Sequence, residues 1–184
     1  IDVLIATDCI SEGQNLQGII VENKGGRGAI LASVVVDASG DGDVIYHAGA
    51  AYEKDTVSPQ PMTLAFVMGG ITCWPQNLSP EVRRRVNEEI AAGTFPTTRP
   101  PALFPMWRKG EYYANATRIP GDCTDAWDLT RGEIEGRRQM MALIEWLRAN
   151  VPGYEKAFLL SSAPQVGLRE SRRLHGLYTL TRAD

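Results

Sequence analysis

The segment Asp37–Asp43, with the sequence Asp-Ala-Ser-Gly-Asp-Gly-Asp, has the residue types and spacing of a ligand-binding turn. Its two glycines can adopt backbone angles that are closed to other residues, and they leave room for a ligand against the main chain. A helix predicted to follow the turn would offer free N–H groups to an anion. The pattern favours a nucleotide-binding loop made of Ala38, Ser39, Gly40, Asp41, Gly42 and Asp43.

Two other interpretations of this loop are open. Asp37, Ser39, Asp41 and Gly42 match the first half of a calcium-binding loop, but the position that requires a chelating glutamate is occupied by Ala48. Glycine and aspartate are also common in turns that only connect two elements. Because the chelating glutamate is missing, we expect no metal site in this loop.

An arginine-rich segment near the end of the chain is the second candidate for chemistry. If this segment is extended, Arg169, Ser171 and Arg173 point to one side, and Glu170 and Arg172 point to the other. Glu170 would then be placed to pair with Arg172. The simpler interpretation is a salt-bridged, solvated surface, which contributes little to stability.

The elements that position the glycine-acid loop are predicted to be strands. Val3–Ile10, Gly18–Asn23 and Ala29–Ala38 have strand composition and are separated by turn residues, which indicates a β-meander. Within the third strand, Val34–Val36 is an unbroken β-branched run, typical of a strand buried on both faces. The small residues after the loop indicate the start of a helix.

From about residue 55 the pattern changes to mixed helix and strand. Met62–Met68 is predicted to be a strand. A helix is predicted after Ser79, which can cap it, with Pro80 in its first turn and Gly93 at its end. Pro96–Pro105 is predicted to be irregular because it is rich in proline.

A second, longer helix is predicted to end near Asn150. Thr130-Arg-Gly-Glu133 has the sequence of a capping box, which would begin this helix. Apolar residues recur at helical spacing along it and are expected to face the core: Met140, Leu143, Ile144, Leu147 and Val151.

Composition narrows the class of protein. The 184 residues contain 19 Lys and Arg against 22 Asp and Glu, with a net charge of −3, so a nucleic-acid partner is not indicated. Cys9, Cys73 and Cys123 lack the spacing of a zinc site or a redox dithiol. No apolar run is long enough to span a bilayer, and a cytoplasmic location is expected.

Four blocks of the sequence resemble the FAD-dependent oxidoreductases of the glutathione-reductase-like superfamily, which are distantly similar to fumarate reductase flavoproteins. In these proteins an Asp-Ala-Thr-Gly-Asp-Gly-Asp string closes the FAD-binding domain, and here Ser39 replaces the threonine and keeps the hydroxyl. The other blocks occur in the family's order: Gln60–Gly70, Thr117–Asp122 with Asp128–Arg138, and Pro164–Arg173.

The resemblance implies two domains and an α+β architecture. Residues 1–54 would be the C-terminal part of the FAD-binding domain, a β-meander with a strand that returns into the main sheet beneath FAD. Residues 55–184 would form a mixed α/β substrate domain. The sequence lacks the Gly-x-Gly-x-x-Gly turn that binds the ADP half of FAD, since Leu31 stands where the third glycine after Gly26 and Gly28 belongs. We therefore expect an internal section of a longer flavoprotein, inactive and unable to retain FAD by itself.

The resemblance also implies the activity, in which a hydride or electron pair passes between a small organic substrate and FAD. The glycine-acid loop would contact the ADP side of the cofactor through its backbone. Arg169 and Arg172 would stabilise charge on reduced flavin or hold a substrate carboxylate.

Two alternatives use the same residues differently. In a non-catalytic, β-rich binding domain, the glycine-acid loop is an ordinary turn and the arginine block is a solvated surface. A polyanion or carbohydrate lyase would need a base and a neutralising group, for which Arg169, His175 and Tyr178 are the available cluster.

Overall fold

The computed structural model describes residues 5–12, 15–55, 59–73, 78–178 and 181–184, with the backbone alone for 5–12 and 15–17. The chain divides into two compact units, the first comprising Ile1–Val57 with Ser171–Asp184 and the second comprising Ser58–Glu170. The elements in chain order are β1 (Ile5–Glu12), β2 (Asn15–Asn23), β3 (Gly26–Leu31), α1 (Asp43–His47), β4 (Tyr52–Glu53), β5 (Phe66–Gly69), α2 (Pro80–Ala91), β6 (Ala102–Pro105), β7 (Tyr112–Asn115), α3 (Ala126–Asn150), β8 (Phe158–Ser162) and β9 (Arg173–Leu174). This mixture of helices and antiparallel sheets confirms the predicted α+β class.

The first unit contains the predicted β-meander. Strands β1, β2 and β3 pair antiparallel in that order, while residues 1–4 lie outside the described part. Gly18 on β2 has no room for a side chain, because a Cβ there would lie 2.3 Å from the carbonyl oxygen of Ile30. The short strands β4 and β9 form a separate antiparallel pair that joins the two ends of this unit.

The prediction of a buried strand at Val34–Val36 is wrong for this structure. These residues have no strand structure, and the side chains of Val34 and Val36 are 77% and 81% exposed. Among the described residues no strand pairs with this segment, so the valines have neither a ladder nor a second layer to pack against. β-branched composition favours a strand only when such a surface is present.

The second unit contains a four-stranded antiparallel sheet with the order β6-β7-β5-β8. Its central segment was predicted to be a strand over Met62–Met68, and Met62, Leu64, Phe66 and Met68 are all buried. Only Phe66–Gly69 is a continuous strand, and Met62 and Thr63 form isolated bridges to Ile119 and Gly167.

The second unit also corrects the prediction of an irregular segment at Pro96–Pro105. Its last four residues form β6, which pairs with β7. Pro105 is compatible with this position because β6 lies at the edge of the sheet, where one side of the strand needs no donor.

The two long helices pack against this core. Helix α2 begins as predicted, with Pro80 in the first turn and the Ser79 hydroxyl accepting from the Val82 N–H at 3.3 Å. It ends before Gly93, which has a φ of +70°.

No helix in the described part of the chain is long and apolar enough to cross a membrane.

The predicted capping box at Thr130 is wrong, because α3 begins five residues earlier. Asp125 caps the helix, and its carboxylate accepts from the Asp128 N–H at 2.8 Å. Thr130 lies inside the helix and donates to the Ala126 carbonyl, and Glu133 accepts instead from the Val166 N–H. The buried stripe is as predicted and includes Met140, Leu143, Ile144 and Leu147.

Candidate functional site

The glycine-acid loop, residues 37–43, is folded around the side chain of Asp37. Its Oδ1 accepts hydrogen bonds from the Ser39 N–H at 2.9 Å and from the Ser39 hydroxyl at 2.7 Å. Its Oδ2 accepts from the Ile45 N–H in α1 at 3.0 Å. The Ser39 hydroxyl in turn accepts from the Asp43 N–H at 3.2 Å. One carboxylate and one hydroxyl therefore define the turn.

These bonds correct the expectation that the helix after the loop offers free N–H groups to an anion. The donors of Asp43 and Ile45 are already used by Ser39 and Asp37. Desolvation raises the pKa of Asp37, but the hydrogen bonds from Ser39 and from the backbone of Ile45 and Val44 outweigh it and lower that pKa below its usual value. The Asp37 carboxylate thus occupies the N-terminus of α1 in the way that a bound anion would.

The free donors lie instead at the tip of the loop. Gly40 and Gly42 have φ values of +85° and +64°, in the left-handed region that favours glycine. No heavy atom of the described residues lies within 4 Å of the position that a Cβ on Gly40 would occupy. The backbone N–H groups of Gly40, Asp41 and Gly42 donate no hydrogen bond within the described residues. Successive free N–H groups of this kind can bind an oxyanion or a hydroxyl oxygen.

Two residues from the end of the chain hold the loop from outside. The Ser171 hydroxyl, which is buried, donates to the Asp41 carboxylate at 2.6 Å. The Arg172 guanidinium donates to the Asp43 carboxylate at 2.7 Å and to the Asp41 carbonyl at 3.3 Å. It also lies over the ring of Tyr46, 4.3 Å from the centroid, and its side chain is only 9% exposed.

The expected pairing of Glu170 with Arg172 is therefore wrong. Arg172 forms a salt bridge with Asp43, whose carboxylate compensates its positive charge. Glu170 lies in the second unit and accepts from the Gln60 N–H there. Alternation along an ideal strand does not apply, because only Arg173 and Leu174 of this segment are in a strand.

Arg169 has a different setting from Arg172. It lies in the second unit, where it lines an open cavity of about 300 Å³, and its guanidinium donates to the Gln60 side-chain oxygen at 3.2 Å. The remaining lining residues are Pro59, Gln60, Pro61, Thr63, Arg99, Thr117 and Arg118. Of the two predicted arginines, Arg172 thus belongs to the first unit and Arg169 to the second.

Several residues of these sites were not singled out in the sequence. Gln60 and Arg118 lie in blocks that resemble flavoproteins, so their positions carried a usable signal. Ser171 also lies in such a block. Tyr46 gave no signal, since an aromatic ring near a loop has many ordinary roles. Arg99 lies within the proline-rich stretch, where no periodicity indicates the direction of a side chain.

Comparison with known proteins identifies the family. No curated protein sequence matches the chain. The family described as FAD dependent oxidoreductase matches residues 3–184, which include the glycine-acid loop, both arginines and the cavity. The chain therefore belongs to the FAD dependent oxidoreductase family.

Proposed function

We propose that this chain contributes part of the FAD site and the substrate site of an enzyme that transfers a hydride or electron pair between a small organic substrate and FAD. In this proposal residues 1–54 belong to the FAD-binding domain and residues 55–184 to the substrate domain. Membership of the FAD dependent oxidoreductase family supports FAD as the cofactor and oxidoreduction as the reaction class. The isoalloxazine ring of FAD would supply the electron-accepting chemistry.

The observation that carries the proposal is the open tip of the glycine-acid loop. Gly40 and Gly42 are held in left-handed conformations, and three successive N–H groups from Gly40 to Gly42 are free within the described residues. A Cβ at Gly40 would meet no atom of the part of the chain that the structure describes, which leaves space in front of the loop. These features fit a polar, oxygen-rich part of FAD, and we assign the ADP side to Ala38, Ser39, Gly40, Asp41, Gly42 and Asp43.

The two arginines have different proposed roles. Arg172 is a positioning residue, because its charge is compensated by Asp43 and its guanidinium braces the loop backbone at Asp41. Arg169 lines the cavity of the second unit and is a candidate to hold substrate. The 184 residues lack the Gly-x-Gly-x-x-Gly turn, so we expect them not to retain FAD by themselves.

The experiment that tests the proposal compares two glycine substitutions in the full-length protein. Gly40→Val forces a branched residue into the left-handed region, at a cost of about 1–2 kcal/mol, and puts a side chain in front of the free N–H groups. Gly49→Val is the matched control, because Gly49 has a φ of +74° and equally open surroundings but lies after α1.

We expect Gly40→Val to lose FAD, measured as flavin absorbance per protein after desalting, while Gly49→Val retains it. The melting temperatures of the two variants should fall by similar amounts, because the backbone strain is similar. Equal FAD retention by both variants at wild-type levels would show that the loop is an ordinary turn.

A further inference from the structure

Three arginines line one cavity in the second unit, and no acidic residue is among the described residues that line it. The cavity measures about 300 Å³, which is the lower end of the usual range for small-molecule sites. Arg99, Arg118 and Arg169 contribute the cations, and Gln60 and Thr63 contribute neutral polar groups.

The backbone of the second unit brings these residues together from four parts of the chain. The segment after Pro59 bridges to Ile119 through Met62, which places Arg118 beside the cavity. It also bridges to Gly167 through Thr63, which places Arg169 there.

Each arginine is held by neutral partners. Arg169 donates to the Gln60 side-chain oxygen, and Arg99 donates to the Asn115 side chain at 2.8 Å and to its carbonyl at 3.0 Å. The buried Gln139 amide bonds to the backbone N–H and carbonyl of Arg118 at 2.9 and 3.1 Å. The Arg118 guanidinium has no hydrogen-bond partner in the described part of the chain.

The charges of these arginines are not compensated within the second unit's described residues. None of the three forms a salt bridge there, whereas arginines on α2 and α3 are paired with glutamates along the helices. Arg99 also has a buried Nε for which the described residues provide no hydrogen-bond partner. The Glu170 carboxylate accepts from the N–H of Gln60, which lines the cavity, at 3.2 Å. The Arg99 Nε is a buried donor without a partner in the described part of the chain, which is unfavourable, and three clustered cations favour the binding of an anion.

We infer that this cavity binds the anionic group of a small organic substrate, a carboxylate or a phosphate, through Arg99, Arg118 and Arg169. The planar guanidinium fork matches both groups in bidentate geometry. The inference rests on the proposed function, since it names the substrate class of that oxidoreductase.

The test is calorimetric titration of the full-length protein at constant ionic strength with three probes: succinate, inorganic phosphate and succinamide, the neutral analogue of succinate. Arg118→Gln and Arg169→Gln are the informative variants, because both side chains are exposed and their loss should not impair folding. Arg84→Gln on α2 is the matched control, with a side chain 65% exposed and paired with Glu88. Melting temperatures and FAD content are measured on the same samples.

We expect at least one of the two anions to bind, with succinamide much weaker, and each informative variant to weaken binding by about tenfold or more while Arg84→Gln binds as wild type. Succinate binding would identify a carboxylate site, and binding of phosphate alone would identify a phosphate site. Absence of anion binding, equal binding of succinamide, or equal binding by all variants would overturn the inference. FAD content separates the two proposals, because normal FAD with no anion site refutes only the substrate class, whereas failure to bind FAD refutes the proposed function.

Discussion

At the scale of single residues, two charged side chains hold the glycine-acid loop and neither remains a free charge. Asp37 uses both oxygens on backbone and hydroxyl donors, and Arg172 is engaged by Asp43, Asp41 and Tyr46. Both residues therefore determine the loop's shape, and the groups left to meet a ligand are backbone N–H groups.

Replacing Arg172 by lysine should loosen the loop although the charge is kept. An ammonium cannot reach the Asp43 carboxylate and the Asp41 carbonyl in the same planar arrangement, and it stacks less well on Tyr46. We expect a loss of about 1–2 kcal/mol in stability together with weaker FAD retention in the full-length protein. Arg173→Lys is the control, because Arg173 is half-exposed and makes its salt bridge with Glu53 on the β4–β9 pair. Similar behaviour of the two variants in denaturation and flavin absorbance would remove the positioning role of Arg172.

The lowered pKa of Asp37 predicts how acid affects the loop. A carboxyl group whose pKa is lower in the folded state contributes stability above its unfolded pKa of about 4, and that contribution is lost as the pH falls through the folded pKa. Asp37→Asn should therefore destabilise the protein by about 1–2 kcal/mol at neutral pH, since an amide NH₂ would face an N–H donor.

The pH dependence of this difference is the measurement. The gap in stability between wild type and Asp37→Asn should be constant from neutral pH to about pH 5 and should shrink below about pH 4. Glu22→Gln, an exposed carboxylate on β2, should show no comparable gap. A gap that widens on acidification would contradict the structural role given to the Asp37 carboxylate.

At the scale of elements, the N-terminus of α3 is a place where the structure differs from the sequence prediction. Both Asp125 and Thr130 are suitable caps followed at the right distance by an acidic residue, and local sequence does not decide between them. The structure selects Asp125, which lengthens the helix by five residues and brings Glu133 to the Val166 N–H. That long-range contact is invisible in a local pattern.

Alanine substitutions distinguish the two caps. Asp125→Ala should cost about 1 kcal/mol in the free energy of unfolding, because the Asp128 N–H loses its acceptor at the helix start. Thr130→Ala should change stability by no more than about 0.5 kcal/mol, since its hydroxyl only duplicates a bond to the Ala126 carbonyl within the helix. Urea denaturation of both variants measures this, and the reverse order of effects would restore the capping-box assignment.

At the scale of the whole molecule, the sequence predicted elements whose signals are local and missed features that depend on distant partners. The meander, the Ser79 cap and the buried stripe of α3 follow from turn chemistry and periodicity. The exposure of Val34–Val36 was not predicted, because the burial of a strand depends on a second surface that the local sequence does not show. The arginine cavity was not predicted either, since its cations come from segments far apart in sequence and gather only through the bridges at Met62 and Thr63.

The discontinuous first unit has a consequence for the order of folding. Its C-terminal segment supplies Ser171 and Arg172 to the glycine-acid loop, but all of Ser58–Glu170 separates that segment from the loop along the chain. Joining the two segments directly would require closing a very long loop at a large entropic cost. Folding of the second unit reduces this cost. Gln60, near the start of that unit, then bonds to Arg169 and Glu170 at its end, and the two ends of the unit are held together. We therefore expect the glycine-acid loop to be completed late in folding, after the sheet and helices of the second unit, to which the loop contributes no residue.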